Sequence, residues 1–256
     1  MKLSYSHRGE IEEIELNPFD ENDIMWKLIT DTQTFYEIEL LEYISSCLSE
    51  LPPGDIIDIG ANIGNHSVYF GKFLAKSLIA IEANPDIIPT LRTNLESNVK
   101  DYTLIDCGVG ESSGMGEIHI PDDEQNNMGA AQLKISEDNQ GIIIRTLDSI
   151  ISEQNIDNTL DIRLIKLDIE GMELPALKGG IETIQKFQPH LFIEIKTGAE
   201  KQVIDNFLEP LGYRSICHFC ATPVYHYTCN PTLIYVLKKK VSAFMRKMNR
   251  KIRKII

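Results

Sequence analysis

Two hydrophobic periods alternate along this chain. Residues 37–50 (EIELLEYISSCLSE) place apolar side chains at 38, 40, 41, 44 and 48, the spacing of one helical face, and stop before Pro52-Pro53-Gly54. Residues 56–59 then read as a short buried strand running into glycines at 60 and 64, 67–76 as a helix and 78–81 as the next strand. A helix is predicted over 85–98, with Asn84 as N-cap and Pro85 at its first position, followed by a strand over 102–107. Strands at 114–120 and 141–145 flank a polar stretch, 122–140, that reads as a loop. Further on, helices are predicted at 146–153, 174–187 and 202–208, and strands at 162–167, 190–195, 213–219 and 232–237. Strands alternating with helices imply right-handed βαβ crossovers and an α/β fold, a mostly parallel sheet covered on both faces.

In such sheets, ligands bind beyond the carboxyl ends of the strands. Four sets of residues occupy that position: Asp58 to Gly64 (DIGANIG), Glu82-Ala83-Asn84, Asp106-Cys107-Gly108, and Lys166 to Gly171 (KLDIEG). A glycine-rich turn after one strand and an acid after the next would suit any adenosine-bearing cofactor. A dinucleotide turn, GxGxxG, needs its second glycine for close approach to a pyrophosphate. Here that place is held by Asn62, the glycines are Gly60 and Gly64, and Asp58 precedes the turn. A carboxylate there repels a diphosphate and suits an ammonium group. Glu82, when ionised, offers acceptors to both hydroxyls of a ribose. S-adenosylmethionine meets these demands, having an amino group, a ribose diol and no phosphate.

The segments DIIDIGANIGNHSVYF, IEANPDIIPTLRTNLESN, RTLDSII, IRLIKLDIEGMELPALKGG and PHLFIEI, in this order, resemble the FkbM family of S-adenosylmethionine-dependent methyltransferases over residues 35–237. The resemblance implies the class I methyltransferase fold, a Rossmann-like sheet of seven strands with an antiparallel last strand. It also implies that Asp58, Gly60, Asn62 and Gly64 line the methionine part of the cofactor, Glu82 its ribose and Asp106 its adenine. Tyr36 and Glu37 match the family's aromatic-Glu pair ahead of the first core helix and are expected to close over the cofactor.

Asp168 and Glu170 lie two apart at the mouth of one strand, and Glu194 ends the next. Together they put carboxylates around one cavity, where mutual repulsion raises at least one pKa toward that of a general base. Asp168 is the first candidate for positioning or deprotonating the methyl acceptor, with Glu170 and Glu194 as partners. Two other readings stay open: the acids bind Mg²⁺, for which oxygen ligands are suited, or Glu170 caps the following helix. His66, just past Gly64, either faces the cofactor or is simply packed or solvated. Lys166, charged in an apolar strand, is expected to pair with a neighbouring acid.

With 256 residues, 43% hydrophobic and 25% charged, the chain has the composition of one globular domain and not of a collagenous, coiled-coil or disordered protein. The net charge of −13 hides an asymmetry, since residues 238–256 carry nine of the 25 basic residues and no acid. The acidic remainder argues against a nucleic-acid partner. In the basic segment Val241, Phe244, Met245, Met248, Ile252, Ile255 and Ile256 recur every three or four residues, the pattern of an amphipathic helix. That helix is expected at an anionic membrane surface, against the acidic body or in an oligomer contact. The division expected is an extension over 1–34, a methyltransferase domain over 35–237 and the basic helix over 238–256. Acids near the N-terminus, where a secretory leader is apolar, predict a cytoplasmic protein, peripheral at the inner membrane face if the tail binds lipid. Five cysteines read as reduced thiols; Cys217, Cys220 and Cys229, with His218 and His226, leave open a zinc cluster or a plain strand. The function these readings favour is O-methylation of a sugar hydroxyl in a glycan or glycolipid precursor. Methylation of a polyketide-type or other small natural product comes second, and a cofactor-binding module without catalysis third.

Overall fold

The computed structural model describes residues 1–49, 51–119, 132–136, 141–155 and 159–230. The first 34 residues form a hairpin, β1 (Lys2–His7) and β2 (Glu10–Glu15), and a helix α1 (Ile24–Thr32). Their apolar side chains Leu3, Ile14, Leu16, Trp26 and Ile29 join the core that surrounds Phe70 and Leu91. Helix α2 (Ile38–Leu48) follows, then β3 (Asp55–Ile59), α3 (Asn65–Phe73), β4 (Leu78–Glu82), α4 (Ile88–Asn98) and β5 (Tyr102–Asp106). A second sheet is built from β6 (Gly108–Val109), β7 (Gly114–His119), β8 (Gln132–Ile135) and β9 (Ile142–Arg145). After α5 (Leu147–Gln154) come β10 (Ile162–Leu167), α6 (Glu173–Lys178), α7 (Ile181–Phe187), β11 (His190–Glu194), α8 (Gly198–Leu208), β12 (Arg214–Phe219) and β13 (Val224–Thr228).

The main sheet has seven strands in the order β12-β13-β11-β10-β3-β4-β5. From β11 to β5 neighbours are parallel, while β13 lies antiparallel between β11 and β12. This is the class I methyltransferase arrangement that the resemblance implied. Strands β3 and β4 are buried along their whole length, because helices cover both faces. Two apolar clusters result, one containing Ile56, Phe70, Leu91 and Leu164, the other Ile57, Ile79, Ile165 and Leu191. Alternate residues of each strand supply opposite clusters.

Several boundaries differ from the sequence reading. The antiparallel strand is β13, ahead of the expected 232–237, which lies outside the described residues. Its sequence, VYHYT, conceals it: His226 is fully buried, bonded through Nδ1 to the Tyr43 hydroxyl at 2.9 Å and through Nε2 to His190 Nδ1 at 2.8 Å. Strand β8 falls within the predicted loop and pairs with β7. The predicted helix over 174–187 is broken at Gly179-Gly180, where a Cβ on Gly179 would lie 2.0 Å from the Gly110 carbonyl oxygen. Asp148 then caps the second half, accepting from the amides of Glu182 and Thr183 at 3.1 and 2.8 Å. Helix α4 begins at Ile88, three residues later than predicted. Asn84 makes an Asx turn instead of a cap, its Oδ1 accepting from the Asp86 amide at 3.1 Å and its carbonyl from the amides of Ile87 and Ile88.

Candidate functional site

A cavity of about 300 Å³ opens at the carboxyl ends of β3, β4, β5 and β10. Its floor is the turn from Gly60 to Asn62. Gly60, at φ +79°, leaves room for the Asp168 carbonyl oxygen, which a Cβ would approach to 1.9 Å, so only glycine lets β3 and β10 end so close together. Every amide in this turn is engaged inside the chain. Gly60 and Ala61 donate to the Ile81 carbonyl, Asn62 to Glu82 Oε2 at 2.7 Å, Ile63 to Asn62 Oδ1 at 2.7 Å and Gly64 to the Ala61 carbonyl. A pyrophosphate cradle needs such amides turned outward. Their inward direction is the structural reason that this turn is not a dinucleotide site.

Glu82 ends β4 with its carboxylate buried against three backbone donors, Asn62 through Oε2 and Ala83 and Asn84 through Oε1, at 2.7 to 2.9 Å. Burial pushes its pKa up and these amides oppose the rise. With about four lone-pair sites on an ionised carboxylate, an acceptor remains for a ligand hydroxyl. Tyr36 and Glu37 form another wall. They are held by Asn65 of α3, whose side chain accepts from the Tyr36 amide at 3.0 Å and donates to the Tyr36 carbonyl at 3.1 Å. Glu37 takes the left-handed conformation, φ 56°, ahead of α2. Its carboxylate is raised by burial, takes a hydrogen bond from the Cys220 thiol and stands 3.5 Å from His66 Nε2. His66 is buried in the wall beside it, and burial together with nearby Lys166 lowers its pKa to about 3, so it is neutral.

Three of the residues expected around the cofactor stand outside the cavity wall. Asp58 is fully buried beneath the floor, where it accepts from the Ser67 hydroxyl at 2.6 Å and pairs with Lys166 at 3.3 Å. Its charge anchors the lysine. Gly64, at φ +91°, starts α3 and packs on Leu91, 2.8 Å from where its Cβ would be. Asp106 is exposed at the end of β5, and Cys107, Gly108 and Val109 form the wall there.

The open end of the cavity carries the acids. Lys166, 3% exposed, bridges Asp58 and Asp168, each at 3.3 Å. Burial alone would raise the Asp168 pKa, but this ammonium holds it below the usual carboxylate range. Glu194 lies against Asp168, and burial plus that charge push it up to about 9. The pair therefore retains one proton at neutral pH. Glu170, in the left-handed region at φ 55°, pairs with Lys196. It does not cap α6. Glu173 shapes that turn by accepting from the amides of Ile169 and Gly171. One carboxylate oxygen from each of Asp168, Glu170 and Glu194 lies within 4.8 Å of the others, a spacing compatible with a divalent ion. Lys166 and Lys196 already bring positive charge to this cluster. The cysteines diverge: Cys217 contacts Tyr43, Cys220 Glu37 and Cys229 Tyr213, and among the described residues they form no metal cluster.

Sequence reasoning passed over Asn65, Glu173, Lys196 and Thr222, which lines the cavity from the β12–β13 turn. The E-x-x-E spacing of Glu170 and Glu173 was legible in the motif, whereas nothing local marked Asn65 as the holder of Tyr36.

The Methyltransferase FkbM domain model matches residues 58–215. This chain belongs to the FkbM methyltransferase family. Hexuronic acid methyltransferase AglP of Haloferax volcanii is 26% identical over 170 residues, covering 65% of this chain and 66% of that protein. Methyltransferase 1 of Beauveria bassiana is 26% identical over 169 residues, 56% of this chain and 67% of the relative. A crystal structure of Methyltransferase FkbM from Methylobacillus flagellatus KT is 23% identical, with TM-score 0.47, covering 69% of this chain and 43% of that one. The chain thus spans about two thirds of these curated relatives and less than half of the solved FkbM chain. An FkbM chain is a methyltransferase, and family membership implies S-adenosylmethionine as its methyl donor.

Proposed function

We propose that this FkbM methyltransferase transfers a methyl group to a hydroxyl on a sugar residue of a glycan or glycolipid precursor. The observation that carries the reading is the carboxylate set at the open end of the cavity, an ionised Asp168 beside a protonated Glu194. A hydroxyl both donates and accepts, and such a pair answers both needs. The hexuronic acid named for the Haloferax volcanii relative supports a sugar-derived acceptor.

The residues present fit S-adenosylmethionine. The inward amides of the Gly60–Gly64 turn offer nothing to a phosphate, and Glu82 offers an acceptor to a diol. Glu82 would hold the ribose, the wall from Cys107 to Val109 the adenine, and Gly60, Asn62, Tyr36 and Glu37 the methionine part. When bound, S-adenosylmethionine supplies an electrophilic methyl carbon. Asp168 would accept the hydrogen bond of the acceptor hydroxyl, direct its lone pair along the line of attack and take up its proton as the oxygen–carbon bond forms and the methyl–sulfur bond breaks, the donor leaving as a neutral thioether. Lys166, fixed from below by Asp58, keeps Asp168 in place.

Removing the charge of Asp168 without changing its shape tests this. Asp168→Asn is expected to lower turnover at least a hundredfold and to leave S-adenosylhomocysteine affinity within about threefold. Transfer of labelled methyl to the carbohydrate fraction of a lysate reads the first and calorimetry the second. Turnover close to the parent's would remove Asp168 from the chemistry, and label found only in small molecules would move the acceptor to natural products.

A further inference from the structure

His66 leaves a ring nitrogen unsatisfied in the wall of the cofactor cavity. Its side chain is 8% exposed, lines the cavity together with Gly60, Ala61 and Asn62, and stacks on Tyr36 with the ring planes 16° apart. The ring is neutral, so one nitrogen donates and the other carries a lone pair. The Tyr36 carbonyl accepts from the ring, while Nε2 is buried and finds no hydrogen-bond partner in the protein. With the ring N–H at Nδ1, Nε2 is an acceptor without a donor. Glu37 Oε2 stands 3.5 Å away and, when ionised, is a second acceptor, so neither group can satisfy the other.

Two buried acceptors this close, one of them a carboxylate, need a ligand that brings several N–H donors and a positive charge. A hydroxyl brings one hydrogen and meets only one of them, whereas a primary ammonium brings three. The other polar groups nearby are committed. Asp58, the carboxylate ahead of the turn, lies beneath the floor with Ser67 and Lys166. Lys166 and Asp168, whose charges both reach His66, are paired with each other. Asn65 binds the Tyr36 backbone, and Asn62 Oδ1 takes the Ile63 amide. Glu37 is braced by the Cys220 thiol and the Tyr36 hydroxyl, which leaves lone pairs on its carboxylate for a ligand. Burial pushes the Glu37 pKa up, and a cation seated against it offsets that rise.

We propose that His66 Nε2 and Glu37 Oε2 together hold a primary ammonium group, the α-amino end of S-adenosylmethionine, with His66 as a cofactor-binding residue that fixes this end of the methyl donor. The proposal rests on the cofactor reading above and does not depend on which acceptor is methylated. It moves the amino-group site from Asp58, below the floor, to the wall of the cavity.

Two ligands separate this role from a structural one: S-adenosylhomocysteine and its analogue with hydrogen in place of the α-amino group. Calorimetry on the full chain is expected to find the deamino analogue weaker by about tenfold or more, and His66→Phe to narrow that gap to about threefold. Both ligands meet the same fold, so their ratio within one variant is insensitive to a general loss of stability. No gap in the parent, or an unchanged gap in His66→Phe, overturns the proposal. Nitrogen NMR of the imidazoles gives a second readout in the parent chain, free of any substitution. His66 Nε2 is expected to carry no proton in the free chain and to move upfield with S-adenosylhomocysteine but not with the deamino analogue, while buried His190 and His226 stay in place as references. A proton on Nε2 in the free chain, or an equal response to both ligands, overturns the proposal. A parent that binds neither ligand defeats the cofactor reading and the proposal with it, whereas binding of both without discrimination defeats the proposal alone.

Discussion

Glu82 shows how one side chain is made ready for a ligand before the ligand arrives. Its carboxylate is fixed by three amides, from Asn62, Ala83 and Asn84, so its orientation is settled without the cofactor. In Glu82→Gln one acceptor oxygen becomes a donor facing an amide N–H, which costs about 1–3 kcal/mol. The same change removes the acceptor offered to the ribose. S-adenosylhomocysteine affinity, read by calorimetry, is expected to fall at least tenfold, and a change within twofold would assign Glu82 to the turn alone. Glu194 makes a prediction through pH. Its pKa, near 9, lies above the value it has in the unfolded chain, mainly through burial and then through Asp168. Between about pH 4.5 and 9 the folded protein therefore holds more protons than the unfolded one, and stability falls as pH rises through that window. Urea midpoints measured at pH 6 and 9 should separate more in the parent than in Glu194→Gln. Equal separations would show that Glu194 ionises freely.

At the scale of elements, the site depends on how closely β3, β4 and β10 end together. Gly60 governs this, because at φ +79° its missing Cβ leaves the space occupied by the Asp168 carbonyl. Gly60→Ala is expected to force β3 from β10, with a backbone strain of order 1–3 kcal/mol on top of the clash. Its melting temperature and S-adenosylhomocysteine affinity should both drop, and retention of both would mean that the turn can relax. Elements of this kind were legible in the sequence, since fully apolar runs such as 78–81 and glycines at fixed offsets announce buried parallel strands and their turns. The hairpin β1–β2, with acids at four of six positions in β2, did not resemble a strand pair. Its inward residues Leu3 and Ile14 are too few to set a period, and their partners lie on distant helices. Strand β13 was hidden for a different reason. Its central His226 reads as polar, and only the Tyr43 and His190 rings, 183 and 36 residues away, satisfy it. Asp58 was legible as a carboxylate at the mouth of β3, but not its burial against Ser67 and Lys166, because sequence position fixes which strand carries an acid and not which face its side chain takes.

At the scale of the whole molecule, the unequal distribution of charge raises the question of where the enzyme works. The cofactor cavity and the acids around it belong to a body, residues 1–237, that carries all 38 acidic residues, while residues 238–256 carry nine bases and no acid. Among the described residues no helix is long and apolar enough to cross a membrane. The basic segment lies outside those residues, and its helical period is a property of the sequence. A segment of this type gains about 1 kcal/mol for each base near an anionic surface, and the gain is screened within about 10 Å at 0.1 M salt. The full chain is therefore expected to sediment with vesicles rich in phosphatidylserine at low ionic strength, to be released by 0.5 M salt, and to ignore phosphatidylcholine alone. A chain truncated before residue 239 should remain in the supernatant while binding S-adenosylhomocysteine as the full chain does, because the described wall of the cavity comes from residues 24–222. If the tail instead folds back on the acidic body, the full chain will not sediment and truncation will lower its melting temperature. Sedimentation of the truncated chain would assign membrane contact to the body, against the repulsion between its acids and an anionic surface. The first outcome would bring the acceptor cavity to the surface where a lipid-linked precursor is displayed, joining the chemistry of Asp168 and Glu194 to a place of action.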